Sequence, residues 1–536
     1  MPASMSARPD TSRPLIAHAM ASLLAVVLLG ACASAFDTQD AAFAERFKAM
    51  TETVLDEVAL IHIDPAPPDV LVMAGFQGLQ DISTSITVNR EGDRAIIRRL
   101  DGRELAHADL PAGKDIPTAI WAEDATELVM ALRTADPVFA VAEEETLYDA
   151  FVGGMISPLD RFSRYNGRED AREARAEREG FGGIGIGLAP HPDGARIEDI
   201  TPGNPAAAAG LQVGDILVAI DGIAVGGEAV HAITERLRGP IDRPVLVTIR
   251  RERLTEPVTV TVGRTRIVPD TITQERLGAQ ELIQISSFNQ RTAKRLAEAL
   301  SRARARPEGA PKGIILDLRG NPGGLLDQAV DSADLFLDHG LISRADGRHP
   351  NSHQRFEAEP GDLAAGLPLV VLVNGASASA SEILASALQD QGRAVVIGMT
   401  SFGKGTIQTV VQLPNEGELY LTWAHFVAPS GYPLQRLGVG PTICTAGEND
   451  AVRALDAAFA TAGAGADSSE SRARAVTLRR ALGETDREKA IQEILALCPW
   501  LPHEGADIDV AVAKLLLGSP TLYARALALG RQDAQG

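Results

Sequence analysis

"NGASASASEILASALQDQGRAVVIGMTSFGKGTIQ", residues 374–408, is the stretch on which the fold turns. With the apolar run "PLVVLV" just before it, it reads as a buried strand, a tight turn, a helix with Ile383, Leu384, Ala387 and Leu388 on one face, and a second strand at "RAVVIG". Ser379 stands where that helix begins and Glu382 follows three residues later, the pattern of a capping box. A hydroxyl in that position also lies beside unpaired backbone N–H groups and the positive end of a helix dipole. Such surroundings suit an attacking oxygen whose reaction builds an oxyanion. No G-x-S-x-G surrounds Ser379, so this is not the nucleophile elbow of the α/β-hydrolases.

The end of the stretch, "GMTSFGKGTIQ" (398–408), invites two other readings. Gly398 and Gly403-Lys404 have the spacing of a nucleotide-binding P-loop, with Gly405 where a hydroxyl residue is required. A P-loop runs into a helix, whereas Thr406, Ile407, Thr409, Val410 and Val411 are β-branched and read as a strand. Ser401-Phe402-Gly403-Lys404 is also an S-x-x-K, the acylating motif of penicillin-recognising enzymes. That motif needs a helical turn, which the glycines flanking Lys404 oppose, and S-D-N and K-T-G partners are missing from the sequence.

Upstream, strands and helices alternate: "GAQELIQISSF" as strand, a helix from Asn289, "KGIILDLRG" as buried strand, and "LLDQAVDSADLFLDHG" as helix. This predicts an α/β core with substantial parallel pairing. Still earlier, residues 181–262 are dense in short strands and glycine turns. Pro202-Gly203-Asn204-Pro205-Ala206, Ala209-Gly210-Leu211, Gly214-Asp215 and Asp221-Gly222 resemble a PDZ domain. The resemblance implies a module that takes a peptide's free C-terminus as an added strand. Gly183, Ile184, Gly185 and Ile186 match the loop whose backbone N–H groups would receive the carboxylate, with the isoleucines lining an apolar pocket.

Taken whole, residues 374–408 resemble the active-site segment of the C-terminal processing, or tail-specific, serine proteases; "QISSFN" (284–289) and "ILDLRGNPGGLL" (315–326) add to the likeness. The family implies a crotonase-like α/β core carrying an inserted PDZ domain. Its nucleophile is the serine 25 residues before the lysine, which selects Ser379 over Ser377 and Ser381. Lys404 then maps to the general base and Gln408 to the residue that orients it; on a strand, positions 404, 406 and 408 share a face. A lysine is a base only when neutral, a state that burial favours, and Phe402, Ile407 and Val395-Val396-Ile397 are apolar candidates for its surroundings. The same resemblance assigns the oxyanion hole to backbone N–H groups of Gly323, Gly324 and Ala380. His349, His353 and His425 lie in the core but outside the motif, and no His, Cys, Asp or Glu spacing suggests a metal. No cofactor is expected.

The N-terminus carries Arg8, Arg13, an apolar run from Ala19 to Leu29, and Leu29-Gly30-Ala31-Cys32. This is the pattern of a secretory signal over residues 1–31, and it resembles the bacterial lipoprotein signal with Cys32 as the lipidated residue. Ala33 after that cysteine favours, by analogy, the periplasmic face of the outer membrane. The net charge is −20, and −21 once Arg8, Asp10 and Arg13 leave with residues 1–31, which argues against a nucleic-acid partner. Cys444 and Cys498 could pair or could remain two buried thiols.

The expected organisation is an N-terminal α+β region (32–165), a charged linker (166–180), the PDZ domain (181–265), the protease core (266–445) and a C-terminal helical region (446–536) without a legible motif. The substrates implied are proteins or peptides with apolar C-termini. A lipoprotein adaptor or activator and a homo-oligomer are compatible partners, and the rival reading is a catalytically silent PDZ adaptor. Two features depart from the family: an added N-terminal hairpin between similar helical segments, and no "PD" pair after "GVGPTICT".

Overall fold

The structure, a computed structural model, describes residues 39–111, 116–201, 203–307, 309–463, 484–501 and 507–531. Residues 1–31, expected to be a secretory signal, and Cys32 lie outside the described residues. No described helix is long and apolar enough to cross a membrane. The chain divides into two compact units, one formed by the chain up to Asp170 with Thr409–Thr422, the other by Ala171–Gln408 with Trp423 onward.

The first unit is built on aromatic packing between helices. The helix through 39–61 turns Phe43, Phe47, Met50, Val54 and Val58 inward at helical spacing. The two segments that resemble one another form the helices Pro68–Gly78 and Glu144–Ile156, which pack together with the Phe76 and Phe151 ring centroids 5.6 Å apart. The expected hairpin is a three-stranded meander, Ile86–Glu91, Arg94–Arg99 and Glu104–Asp109. Phe76 is fully buried. Phe76→Ala leaves a cavity that its neighbours cannot fill, and should destabilise this unit by about 3–5 kcal/mol, read as a lowered midpoint in chemical denaturation.

Residues 409–422, expected within the protease core, pack in the first compact unit, where Leu413, Leu419 and Leu421 join its hydrophobic cluster and Glu418–Tyr420 pair with Arg164–Asn166. Alternation along a strand reports two faces but not which sheet they serve. The charged stretch 166–180 is largely a helix, Arg168–Glu179, that buries only Ala171 and Ala176.

In the second unit, residues 186–262 form a five-strand path with Ile186–His191 at one edge and Val258–Val262 at the other. The core sheet runs Ile272–Leu277, Gln280–Ile285, Gly313–Asp317, Leu369–Val373, Val395–Gly398 and Ile443–Cys444. The first pair is antiparallel and every later pairing parallel. Gly313–Asp317 and Leu369–Val373 are buried at every position, as strands covered on both faces must be. Leu316, Val371 and Val396 face the helices Thr292–Arg304, Leu326–Asp334 and Ala380–Asp390. Ile315, Val370, Val395 and Ile397 face the C-terminal helices Ala451–Gly463, Ile508–Gly518 and Pro520–Arg531. The C-terminal region, silent as to motif, is thus the second cover of the sheet. Cys444 and Cys498 form a disulfide that ties the last strand to this region.

Candidate active site

The loops that follow three parallel strands, at their C-terminal ends, converge: 318–325, 374–379 and 399–405. Ligands of open α/β sheets bind at that edge. Ser379 sits where the second loop enters the helix Ala380–Asp390, with φ 56° and ψ −114°. A non-glycine residue holds such a backbone only when its surroundings over-determine it. The flanking serines supply the restraint. Ser377 Oγ donates to the Leu318 carbonyl at 2.8 Å, Ser381 Oγ donates to the Asn321 carbonyl at 3.0 Å, and the Ala378 N–H donates to that same carbonyl. Ser377 and Ser381 are fully buried, while Ser379 is partly exposed. Of the three serines, Ser379 alone combines solvent access with a strained turn.

Glu382 is the centre of the arrangement. Its carboxylate has no exposure and accepts four hydrogen bonds. Oε2 receives the Ser379 N–H at 2.7 Å and the Lys404 N–H at 2.9 Å. Oε1 receives the Ser401 hydroxyl at 2.5 Å and the Gly403 N–H at 2.7 Å. One oxygen therefore clamps the backbones of Ser379 and Lys404 side by side, although 25 residues separate them in sequence. Burial pushes the Glu382 carboxyl above its ordinary value, and the four donors pull it back. Lys404 Nζ donates to Gln408 Oε1 at 2.8 Å, four residues further on, in the strand that begins at Thr406. That strand, not a helix, follows Gly405, which disposes of the phosphate-loop reading. A Cβ at Gly405 would lie 2.2 Å from the Gln435 nitrogen, so glycine is required for that approach.

The loop 318–325 presents Gly323, at φ 104°, directly to the serine; a Cβ there would stand 2.9 Å from Ser379 Cβ and 2.8 Å from the Ala378 carbonyl oxygen. The Gly323 N–H donates to Asn321 Oδ1 at 2.8 Å, so in this conformation it is already satisfied and is not presented to a substrate. The bridge between Phe288 and Gly324 uses the Gly323 carbonyl and the Leu325 N–H, which leaves the Gly324 N–H on the opposite side. Ala380, first residue of its helix, has an N–H with no intrahelical acceptor. Gly323→Ala should reduce cleavage at least about a hundredfold by displacing Ser379, with kcat rather than KM carrying the loss in steady-state assays.

The four residues read as peptide-binding divide. Gly183 pairs with Thr265 in a short ladder, and Ile184 is buried in the module's hydrophobic cluster. Gly185 and Ile186 lead into the edge strand Ile186–His191, beside the helix Val230–Leu237. Of the histidines, His353 pairs with Asp346 at 2.8 Å and His349 accepts from the Asn351 N–H. Among the described residues no cluster of three or more His, Cys, Asp or Glu is arranged to hold a metal.

The role of Glu382 was hidden in its capping spacing. S-x-x-E forecasts the bond to the Ser379 N–H, but nothing in the sequence shows that the other oxygen and the Lys404 loop meet.

Comparison with known proteins identifies the family. Residues 281–445 match the description "Peptidase family S41" and residues 196–251 match "PDZ domain". A carboxy-terminal-processing protease of Bartonella bacilliformis is 37% identical over 305 residues, 56% of this chain and 70% of that protein. A carboxyl-terminal-processing protease of Picosynechococcus is 34% identical over 307 residues, 55% of this chain and 72% of that one. With two such relatives matched over more than two thirds of their lengths, the chain belongs to the carboxyl-terminal-processing proteases of family S41, a family of serine peptidases, and carries a PDZ domain.

Proposed function

We propose that this chain is a serine endopeptidase of the bacterial envelope that hydrolyses proteins or peptides selected through apolar C-terminal tails. Neutral Lys404 takes the proton of Ser379 Oγ while that oxygen attacks a peptide carbonyl carbon. The proton passes to the leaving nitrogen as the C–N bond breaks; water then attacks the acyl-serine, giving its proton to Lys404, which returns it to Ser379 Oγ as the ester bond breaks. Gln408 positions the amine. The Ala380 and Gly324 N–H groups are the best placed to receive the oxyanion, and Gly323 joins them if its bond to Asn321 is exchanged for one to the substrate. The observation that carries this reading is the Glu382 Oε2 clamp on both Ser379 and Lys404.

The open edge of Ile186–His191 supports tail capture, since a peptide strand can extend the sheet there. A loosely folded reporter with a free apolar C-terminus should be cleaved about a hundredfold more efficiently than the same reporter with an amidated end. Equal rates for the two would remove the PDZ domain from substrate selection. The crotonase-like core, export and lipidation at Cys32 belong to the same proposal. Cys32→Ser should move the protein from the membrane fraction to the soluble one.

A further inference from the structure

The C-terminal region does more than cover the sheet. Its segment 498–501 lies on the same loops that build the site. The Thr400 hydroxyl donates to the Cys498 carbonyl at 2.7 Å, the Leu501 N–H reaches Met399 Sδ at 3.3 Å, and Cys498 is bonded to Cys444. Between these anchors Trp500 is laid on Gly375, where a Cβ would stand 2.7 Å from both Cδ1 and Cγ of the indole. Gly375 is four residues before Ser379 on the loop that delivers it. Phe402 borders that loop from the other strap, through its N–H to the Ser377 carbonyl at 3.0 Å.

Both residues remain exposed, Trp500 at 67% and Phe402 at 49%. A tryptophan retained only for packing would bury its ring. One that is fastened on three sides and still exposed has the character of a binding anchor, because its position is already paid for before a ligand arrives. The residue lies outside the segment that matches the protease family, which ends at 445.

We infer that Trp500 is a specificity-determining wall of the substrate cleft, taking an apolar side chain of the polypeptide close to the scissile bond. The inference rests on Ser379 as the reacting centre. Leucine at the preferred substrate position gains contact with the indole, while glycine or serine there gains none.

The test uses the full mature chain and peptides amidated at the C-terminus, which removes tail capture. A single leucine is walked through the positions flanking the cleaved bond in a glycine-serine background. For one position, Trp500→Ala should raise KM about tenfold with kcat unchanged, Trp500→Phe should restore most of the loss, and the glycine-serine peptide should be indifferent to either change. Labelling of Ser379 by a small fluorophosphonate should proceed at the parental rate in both variants. Equal losses for every peptide, or slowed labelling, would make Trp500 a structural residue and overturn the inference; unchanged KM for all leucine positions would do the same.

A second arm needs no catalysis. In a Ser379→Ala chain the favoured leucine peptide should shift the tryptophan emission to shorter wavelength, and the shift should vanish when Trp500→Phe is added. Persistence of the shift after that change, or its absence from the Ser379→Ala chain, would overturn the inference. Failure of the parent to cleave or to label, with the emission shift present, would instead strike at the proposed chemistry and leave the wall standing.

Discussion

Lys404→Met should lower kcat/KM by up to about 10⁴-fold while leaving the fold intact, because a positioned base contributes roughly that much and methionine occupies nearly the same space. The backbone N–H of residue 404, which Glu382 holds, survives the change. Only the amine that reaches Gln408 is lost. In the proposed mechanism Ser379 and Lys404 act on one proton, so the pair should be non-additive: Ser379→Ala with Lys404→Met should be no slower than Ser379→Ala alone. Rate constants for the three variants on one reporter, with denaturation midpoints as control, decide it. An additive double variant would mean that Lys404 acts on some other step.

Glu382→Gln should also lower cleavage, by less and for a different reason. Only a carboxylate accepts from all four donors. If the amide nitrogen replaces Oε2 it confronts the Ser379 and Lys404 N–H groups; if it replaces Oε1 it confronts the Gly403 N–H. At least one buried donor is then left without an acceptor, and the expected loss is about 3 kcal/mol of stability. Cleavage should fall about a hundredfold, since a displacement of about 1 Å between reacting groups has that effect. The pH dependence has a definite sign. Burial holds this carboxyl above its ordinary value, so just above the usual carboxylate range the folded chain keeps a proton that the unfolded chain has released. Stability contributed by that proton is present below the interval and is lost as pH rises through it, and Glu382→Gln should lack this slope. Unfolding curves at several pH values across that range measure it.

The sequence disclosed these parts unevenly, for physical reasons. Ser379, Lys404 and Gln408 were singled out by the resemblance of 374–408 to the tail-specific proteases; local pattern alone showed a helix beginning at Ser379 and a shared strand face for 404 and 408. The core strands were legible because uninterrupted apolar runs such as Leu369–Val373 fit only a sheet covered on both sides. What covers the second side was not, since the C-terminal helices carry no chemistry and their contact with Ile315 and Val395 is long-range. The fourfold role of Glu382 was concealed by its ordinary place in a capping box. Asn321 went unnoticed because an Asx bond to the Gly323 N–H depends on a turn that glycines make locally but do not announce. That 409–422 packs in the first compact unit was hidden for the same reason: alternation predicts a strand without naming its neighbours.

The central claim is that Ser379 carries the acyl group and Lys404 activates it. It is tested most directly by stopping the reaction on a slow ester or fluorophosphonate and locating the added mass by peptide mapping. The account predicts one adduct per chain, on Ser379, absent from Ser379→Ala and formed at least about a hundredfold more slowly in Lys404→Met. An adduct on another residue, or undiminished cleavage by Ser379→Ala, would contradict it.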